Sequence, residues 1–131
     1  LGLDRVETFL KFKTKVQKNR EELINMLSGI KKTGHNIVGY GAPAKGNTLL
    51  NYCNIGNDTV DFIIDTTPAK QGRIAPGSRI PVFRPDKLRE NKPDYLLLLA
   101  WNYADAIMKK EAEYRQDGGK FIVPVPKPRI I

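Results

Sequence analysis

Residues 37–50 read IVGYGAPAKGNTLL: an apolar run, a glycine-rich turn, then the start of a helical pattern. A strand that passes through such a turn into a helix is the opening unit of an α/β fold. The turn also approaches two phosphate-binding motifs. Gly39-x-Gly41-x-x-Ala44 is close to a dinucleotide fingerprint, and Gly41-x-x-x-x-Gly46-Asn47-Thr48 is one residue short of a P-loop.

Working outward from that stretch, the same alternation continues. Upstream, Leu3, Val6, Leu10, Val16, Leu23, Leu27 and Ile30 recur mostly at three- and four-residue steps, which predicts one long helix from Asp4 to about Lys32. Asp4 with Glu7 resembles a capping box, and Gly34 can supply the left-handed residue that ends the helix. Lys11, Lys13, Lys15, Lys18 and Arg20 mostly fall outside the apolar stripe and read as a solvated face.

Downstream, HNIVGY is expected as a strand, GNTLLNYCN as a helix and VDFIID as a second strand. The segment TTPAKQGRIAPGSRIPVF reads as a polar loop, followed by a short helix near PDKLREN. DYLLLLA is a continuous apolar run, the pattern of a parallel strand buried on both faces. NYADAIMKKEAEYRQ is amphipathic and ends at Gly118-Gly119, and KFIVPVP is the last strand, stopped by Pro124, Pro126 and Pro128. The expected fold is a single Rossmann-like α/β domain over residues 1–131. A leading helix occupies 1–34, and a parallel sheet flanked by helices occupies 35–131.

In such a sheet ligands bind beyond the carboxyl ends of the strands, where Gly39, Gly41 and Ala42 fall. The first turn of the following helix offers free N–H groups to an anion, with Lys45 and the Thr48 hydroxyl close by. A P-loop needs lysine directly after its last glycine, and Asn47 stands there instead, which argues against an ATPase. A nicotinamide cofactor would use the first two glycines, Ala44, and an acid about 20 residues further on for the ribose; Asp65 is placed for that. A methyl-donor loop would carry an acid and a third glycine at the positions of Ile37 and Pro43. Gly39 and Gly41 are equally compatible with simple close packing of a helix on a strand, and Asp65 with a turn before Thr66 and Thr67.

Two further clusters point to the same end of the sheet. Lys70, Gln71, Gly72 and Arg73 follow the second strand, within reach of a diphosphate placed near Gly41. Trp101, Asn102 and Tyr103 follow the third strand; an aromatic there can cover a sugar or base, while Asn102 is expected as the cap of the next helix.

Lys plus Arg number 22 against 14 Asp plus Glu, for a formal net charge of +8. The surface favours anions, but the basic residues are dispersed and no nucleic-acid signature accompanies them, so no nucleic-acid partner is expected. Cys53 is the only cysteine, which rules out an internal disulfide and reads as a buried thiol. No signal peptide and no apolar run of roughly 20 residues is present, so no membrane partner and a cytoplasmic setting are expected. The sole histidine, His35, opens the first strand at the end away from the glycine loop. Without an acid–base set or a metal-ligand cluster, the domain reads as a binder with no catalytic residue.

Taken together, GYGAPAKGNTLLN, VDFIIDTTPAKQGRIAPGSRIPV and DYLLLLAWNYADAI closely resemble the C-terminal domain of sugar C-methyltransferases. The resemblance runs from about Leu3 to the last strand. It implies S-adenosylmethionine-dependent methylation of a carbon in a nucleotide-diphosphate-linked keto-deoxysugar. It further implies a zinc-binding module and a central methyl-donor-binding domain preceding the region seen here. On that basis the chain is expected to be a fragment of a longer enzyme, with the catalytic base outside it. S-adenosylmethionine would be a cofactor of the full-length enzyme that does not bind in this domain. Gly39, Gly41, Lys45, Asn47 and the Lys70–Arg73 loop become candidates to line the nucleotide-sugar side, and the methyl-donor-binding domain becomes the partner. A nicotinamide-binding module and a non-catalytic docking domain stand as the alternative readings.

Overall fold

The computed structural model describes residues 2–131, with side chains from residue 5 onward. Leu3 and the expected cap at Asp4 lie outside the described side chains. The first helix, α1 (Gly2–Lys32), is followed by β1 (Ile37–Tyr40), α2 (Ala44–Tyr52), β2 (Ile63–Ile64), β3 (Val82–Phe83) and α3 (Asp86–Asn91). Then come β4 (Tyr95–Leu98), a 3-10 turn (Trp101–Tyr103), α4 (Ala104–Lys110), α5 (Ala112–Gln116), β5 (Lys120–Val123) and β6 (Arg129–Ile130).

Among the described residues six strands form one sheet in the order β3-β2-β1-β4-β5-β6. The first five are parallel and β6 returns antiparallel to β5. The chain leaves β1 in one direction through β2 and β3, then crosses back to place β4 on the other side. This reversal creates a switch point between β1 and β4. At its heart Gly39 pairs with Ile63 on one side and Leu97 on the other.

Both faces of the sheet are covered, as the apolar runs demand. On one face Ile37, Ile63, Leu97, Leu99 and Ile122 meet Leu23, Leu27 and Ile30 of α1 with Leu50 of α2 and Cys53. On the other, Val38, Tyr40, Ile64, Leu96, Leu98 and Phe121 meet Leu88, Ala104 and Ile107. Cys53 is buried, and that burial pushes its thiol pKa up. Helix α1 ends as expected: Gly34 takes φ +82° and the His35 N–H donates to the Ile30 carbonyl at 3.3 Å.

Four local features depart from the sequence reading. The expected loop at 66–83 contains a strand, because Ile63 N–H donates to Pro81 O and Asp65 N–H to Phe83 O. The segment after Pro124 turns back as β6, pairing Val123 with Arg129. The helix expected over 102–116 is interrupted at Glu111, whose φ −100° and ψ 33° separate α4 from α5. Asn102 is not a helix cap: the cap position of α4 is Tyr103 with no side-chain bond, since a 3-10 turn intervenes after β4.

Candidate functional site

A cleft of about 350 Å³ opens beyond the carboxyl ends of β1, β2 and β4, at the switch point. Tyr40, Gly41, Ala42 and Pro43 form one wall, and Ile64, Asp65, Thr66, Thr67 and Lys70 a second. Ala100, Tyr103, Ala106, Ile107 and Lys110 close the third. A larger hollow of about 430 Å³ lies at the opposite end, where Asp94 and Gly119 precede β4 and β5. The smaller cleft is the candidate site because fold topology gathers loops from three strands around it.

The glycine loop is held rather than left open. Gly41 takes φ +87°, where a side chain is strained, and a Cβ there would lie 2.9 Å from Ala100 Cβ. Its N–H donates to the Ile64 carbonyl at 2.7 Å. Asp65, buried at the end of β2, accepts the Ala42 N–H on Oδ2 at 2.8 Å and the Thr67 N–H on Oδ1 at 2.7 Å. The second bond is an Asx-type turn that sets the course of the 66–72 loop. Lys70 then reaches back across the cleft and donates from Nζ to the Ala42 carbonyl at 2.8 Å, while Gln71 Nε2 donates to the Asp65 carbonyl at 2.9 Å.

Both ends of the Ala42 peptide are thus tied to side chains of the β2 loop. The N–H groups of Gly41 and Ala42 are engaged inside the fold, and Pro43 has none. Within the loop itself a diphosphate finds no free N–H donor, and the backbone donors left beyond it are those of the first turn of α2. Polar contact with a ligand falls to side chains instead: Lys70 and Lys110 supply positive charge, and Thr66, Thr67 and Tyr103 supply hydroxyls.

Of the residues singled out from sequence, Gly41, Ala42, Asp65 and Lys70 meet at this cleft. Gly39 lies within β1, where a Cβ would press on Ile63 and Leu99 at 3.0 Å. Lys45 is exposed on the first turn of α2, and Thr48 bonds back to the Ala44 carbonyl at 3.0 Å. Asn47 is half-buried on α2, with a buried Oδ1 that has no hydrogen-bond partner. Arg73 is exposed where its carbonyl accepts the Val82 N–H, and does not line the cleft. Trp101 packs against the core cluster beneath α4, and Asn102 is exposed in the 3-10 turn. Tyr103, of the same 3-10 turn, lines the cleft.

Tyr40 and Lys110 went unread in the sequence. Tyr40 belongs to the core pattern of β1, yet its hydroxyl donates to Glu111 Oε1 at 2.9 Å. Burial, reinforced by that hydrogen bond, raises the phenol pKa well above its ordinary value. Lys110 stands at the end of α4, and only the packing of that helix against β1 brings it to the cleft.

Residues 1–126 match the family described as "C-methyltransferase C-terminal domain". The chain belongs to this family. It is also 43% identical over 130 residues to the C-methyltransferase NovU of Streptomyces niveus, covering 99% of this chain and 31% of that protein. The chain therefore spans about a third of the length of this relative. Among the described residues no cluster of three or more His, Cys, Asp or Glu is placed to hold a metal ion, and no helix is long and apolar enough to cross a membrane.

Proposed function

We propose that this chain is the substrate-side domain of an S-adenosylmethionine-dependent C-methyltransferase acting on a nucleotide-diphosphate-linked sugar in the cytoplasm. Membership of the C-methyltransferase family supports the reaction class. The observation that carries the substrate side is the cleft itself: two lysines and three hydroxyls surround a space at the switch point of the sheet. That combination suits an anionic, hydroxyl-rich ligand.

In this reading Lys70 and Lys110 attract the diphosphate, and Thr66, Thr67 and Tyr103 hydrogen-bond the sugar or ribose. S-adenosylmethionine, bound in a separate methyl-donor-binding domain, supplies the methyl group. The present domain contributes orientation and exclusion of water, which lower the barrier by fixing the acceptor carbon near the donor. The loop does not fit the methyl donor itself, because Ile37 and Pro43 occupy the positions of the acid and the third glycine. A nicotinamide module is disfavoured, since Asp65 and the Gly41 and Ala42 N–H groups already bind one another and the fold.

The test is a thermal-shift comparison with a thymidine-diphosphate sugar, NAD and S-adenosylmethionine. Ligand at 100 times its dissociation constant adds about 2.7 kcal/mol, a shift of several degrees. A shift with the nucleotide sugar, reduced to about half in Lys70→Met, supports the reading. A shift with NAD alone overturns it.

A further inference from the structure

Helix α1 is 31 residues long, about 46 Å at the standard rise, yet only its second half is seated on the sheet. Leu23, Leu27 and Ile30 are buried, whereas every side chain from residue 5 to residue 15 is exposed. The free half is not polar. Val6, Phe9, Leu10 and Phe12 are 54%, 63%, 53% and 64% exposed. Traced backwards from Ile30, the buried stripe steps through Leu27, Leu23, Val16 and then Phe12, Phe9 and Val6 at three-, four- and seven-residue intervals. The face that fixes α1 to the sheet therefore continues past the sheet with nothing from this chain covering it.

The direction of the free half is set by the fold. The end of α1 leads through Gly34 into the start of β1, away from the cleft. At the other side, Asn19 hydrogen-bonds the carbonyl of Pro126, in the turn beyond the carboxyl end of β5. Residues 5–18 consequently extend past the end of the sheet that carries the cleft. Their charge is one-sided: Arg5, Lys11, Lys13, Lys15 and Lys18 stand against Glu7 alone. Two copies of this segment repel one another, so a homodimeric seam is disfavoured.

We infer that the apolar face of residues 5–16 docks into a carboxylate-edged apolar groove on the methyl-donor-binding domain. This inference rests on the proposed function, since it supposes a donor domain facing the cleft. Phe9 and Phe12 are its central anchors, the kind of buried aromatic that dominates helix-in-groove binding. The contact does two things at once: it covers the exposed stripe and holds the donor domain over the cleft mouth.

The experiment is amide hydrogen exchange on residues 5–16, in the 131-residue chain and in the full-length enzyme that carries it, each as wild type and as Phe9→Ala/Phe12→Ala. Alanine preserves helix propensity, so any lost protection reports the contact rather than unwinding. Exchange at least tenfold slower in the full-length wild type, and fast again in the double variant, is the expected result; Phe9→Leu/Phe12→Leu retains part of the protection. Equal exchange in both proteins, or protection that the double variant keeps, overturns the inference. So does protection that needs phosphatidylserine vesicles or that grows with protein concentration, which would assign the face to a membrane or to a second copy. Thymidine-diphosphate-sugar binding by the short chain is measured alongside. Its absence with protection intact would sink the proposed function and leave the docking face standing.

Discussion

The carboxylate of Asp65 accepts the backbone N–H of Ala42 at 2.8 Å, joining the end of β2 to the turn after β1. This bond places the glycine turn at the mouth of the cleft, and Lys70 completes it from the carbonyl side. An acid that sequence spacing assigns to a ribose is thus already committed to the backbone.

Replacing Asp65 by alanine leaves the Ala42 and Thr67 N–H groups without their acceptor. An unsatisfied buried donor costs about 1–3 kcal/mol, so Asp65→Ala is expected to melt several degrees lower with no ligand present. A melting curve unchanged from wild type would show that the clamp contributes nothing to the fold. Asp65→Asn keeps one acceptor oxygen and is expected to fall between the two.

Gly46 and Gly29 make a matched pair. Both lie in helices, but a Cβ on Gly46 would sit 2.9 Å from Leu99 Cβ, while one on Gly29 meets nothing within 4 Å. Gly46→Ala is expected to destabilise by about 1–3 kcal/mol through overpacking of α2 on β4. Gly29→Ala is expected to stabilise by about 0.5–1 kcal/mol through helix propensity. Urea midpoints of the two variants decide the matter, and equal signs would refute the packing argument.

Lys70 and Lys110 separate binding from folding. Each methionine substitution is expected to weaken nucleotide-sugar binding about tenfold and to flatten its salt dependence. Only Lys70→Met loses a bond to Ala42, so only it is expected to lower the melting temperature of the free domain. Calorimetric titration at two salt concentrations, beside melting curves, checks both halves of this statement.

Alkaline stability follows from the buried phenols. Burial is the main cause that raises Tyr40 and Tyr114 above the ordinary tyrosine value of 10.0. In the unfolded chain these phenols ionise first, so above about pH 10 the unfolded state gains what the folded state resists. The contribution of these two phenols to stability is therefore fully present below about pH 10 and is lost as pH climbs beyond it. Tyr40→Phe is expected to be less stable near neutrality, through loss of the Glu111 bond, yet to decline less steeply between about pH 10 and 11. An identical slope would remove Tyr40 from the account.

The strands legible in the sequence were the four that lie in apolar runs, HNIVGY, VDFIID, DYLLLLA and KFIV, which became β1, β2, β4 and β5. Strands β3 and β6 escaped because they lie in proline-rich segments without an apolar run of their own and are defined by pairing with a neighbour. The break at Glu111 escaped for a related reason, since hydrophobic periodicity is nearly continuous through it and the interruption lies in backbone angles alone. Around the cleft, the glycine turn and the β2 loop were legible because they sit at strand ends. Trp101 drew attention by its size, but it sits half-buried against the core cluster, and Tyr103 of the same 3-10 turn lines the cleft. Lys110 is set by tertiary packing of a helix and carries no local signal.

The two-residue strands at either side of the sheet also bear on solubility. An open edge offers a row of unpaired backbone groups to any extended chain in reach. Here the apolar KFIV strand is shielded by β6, and the opposite edge, β3, passes at once into Arg84 and Pro85. What remains at each border is too short to template a further strand. A sheet with four apolar interior strands thereby gives neighbouring molecules almost nothing to extend.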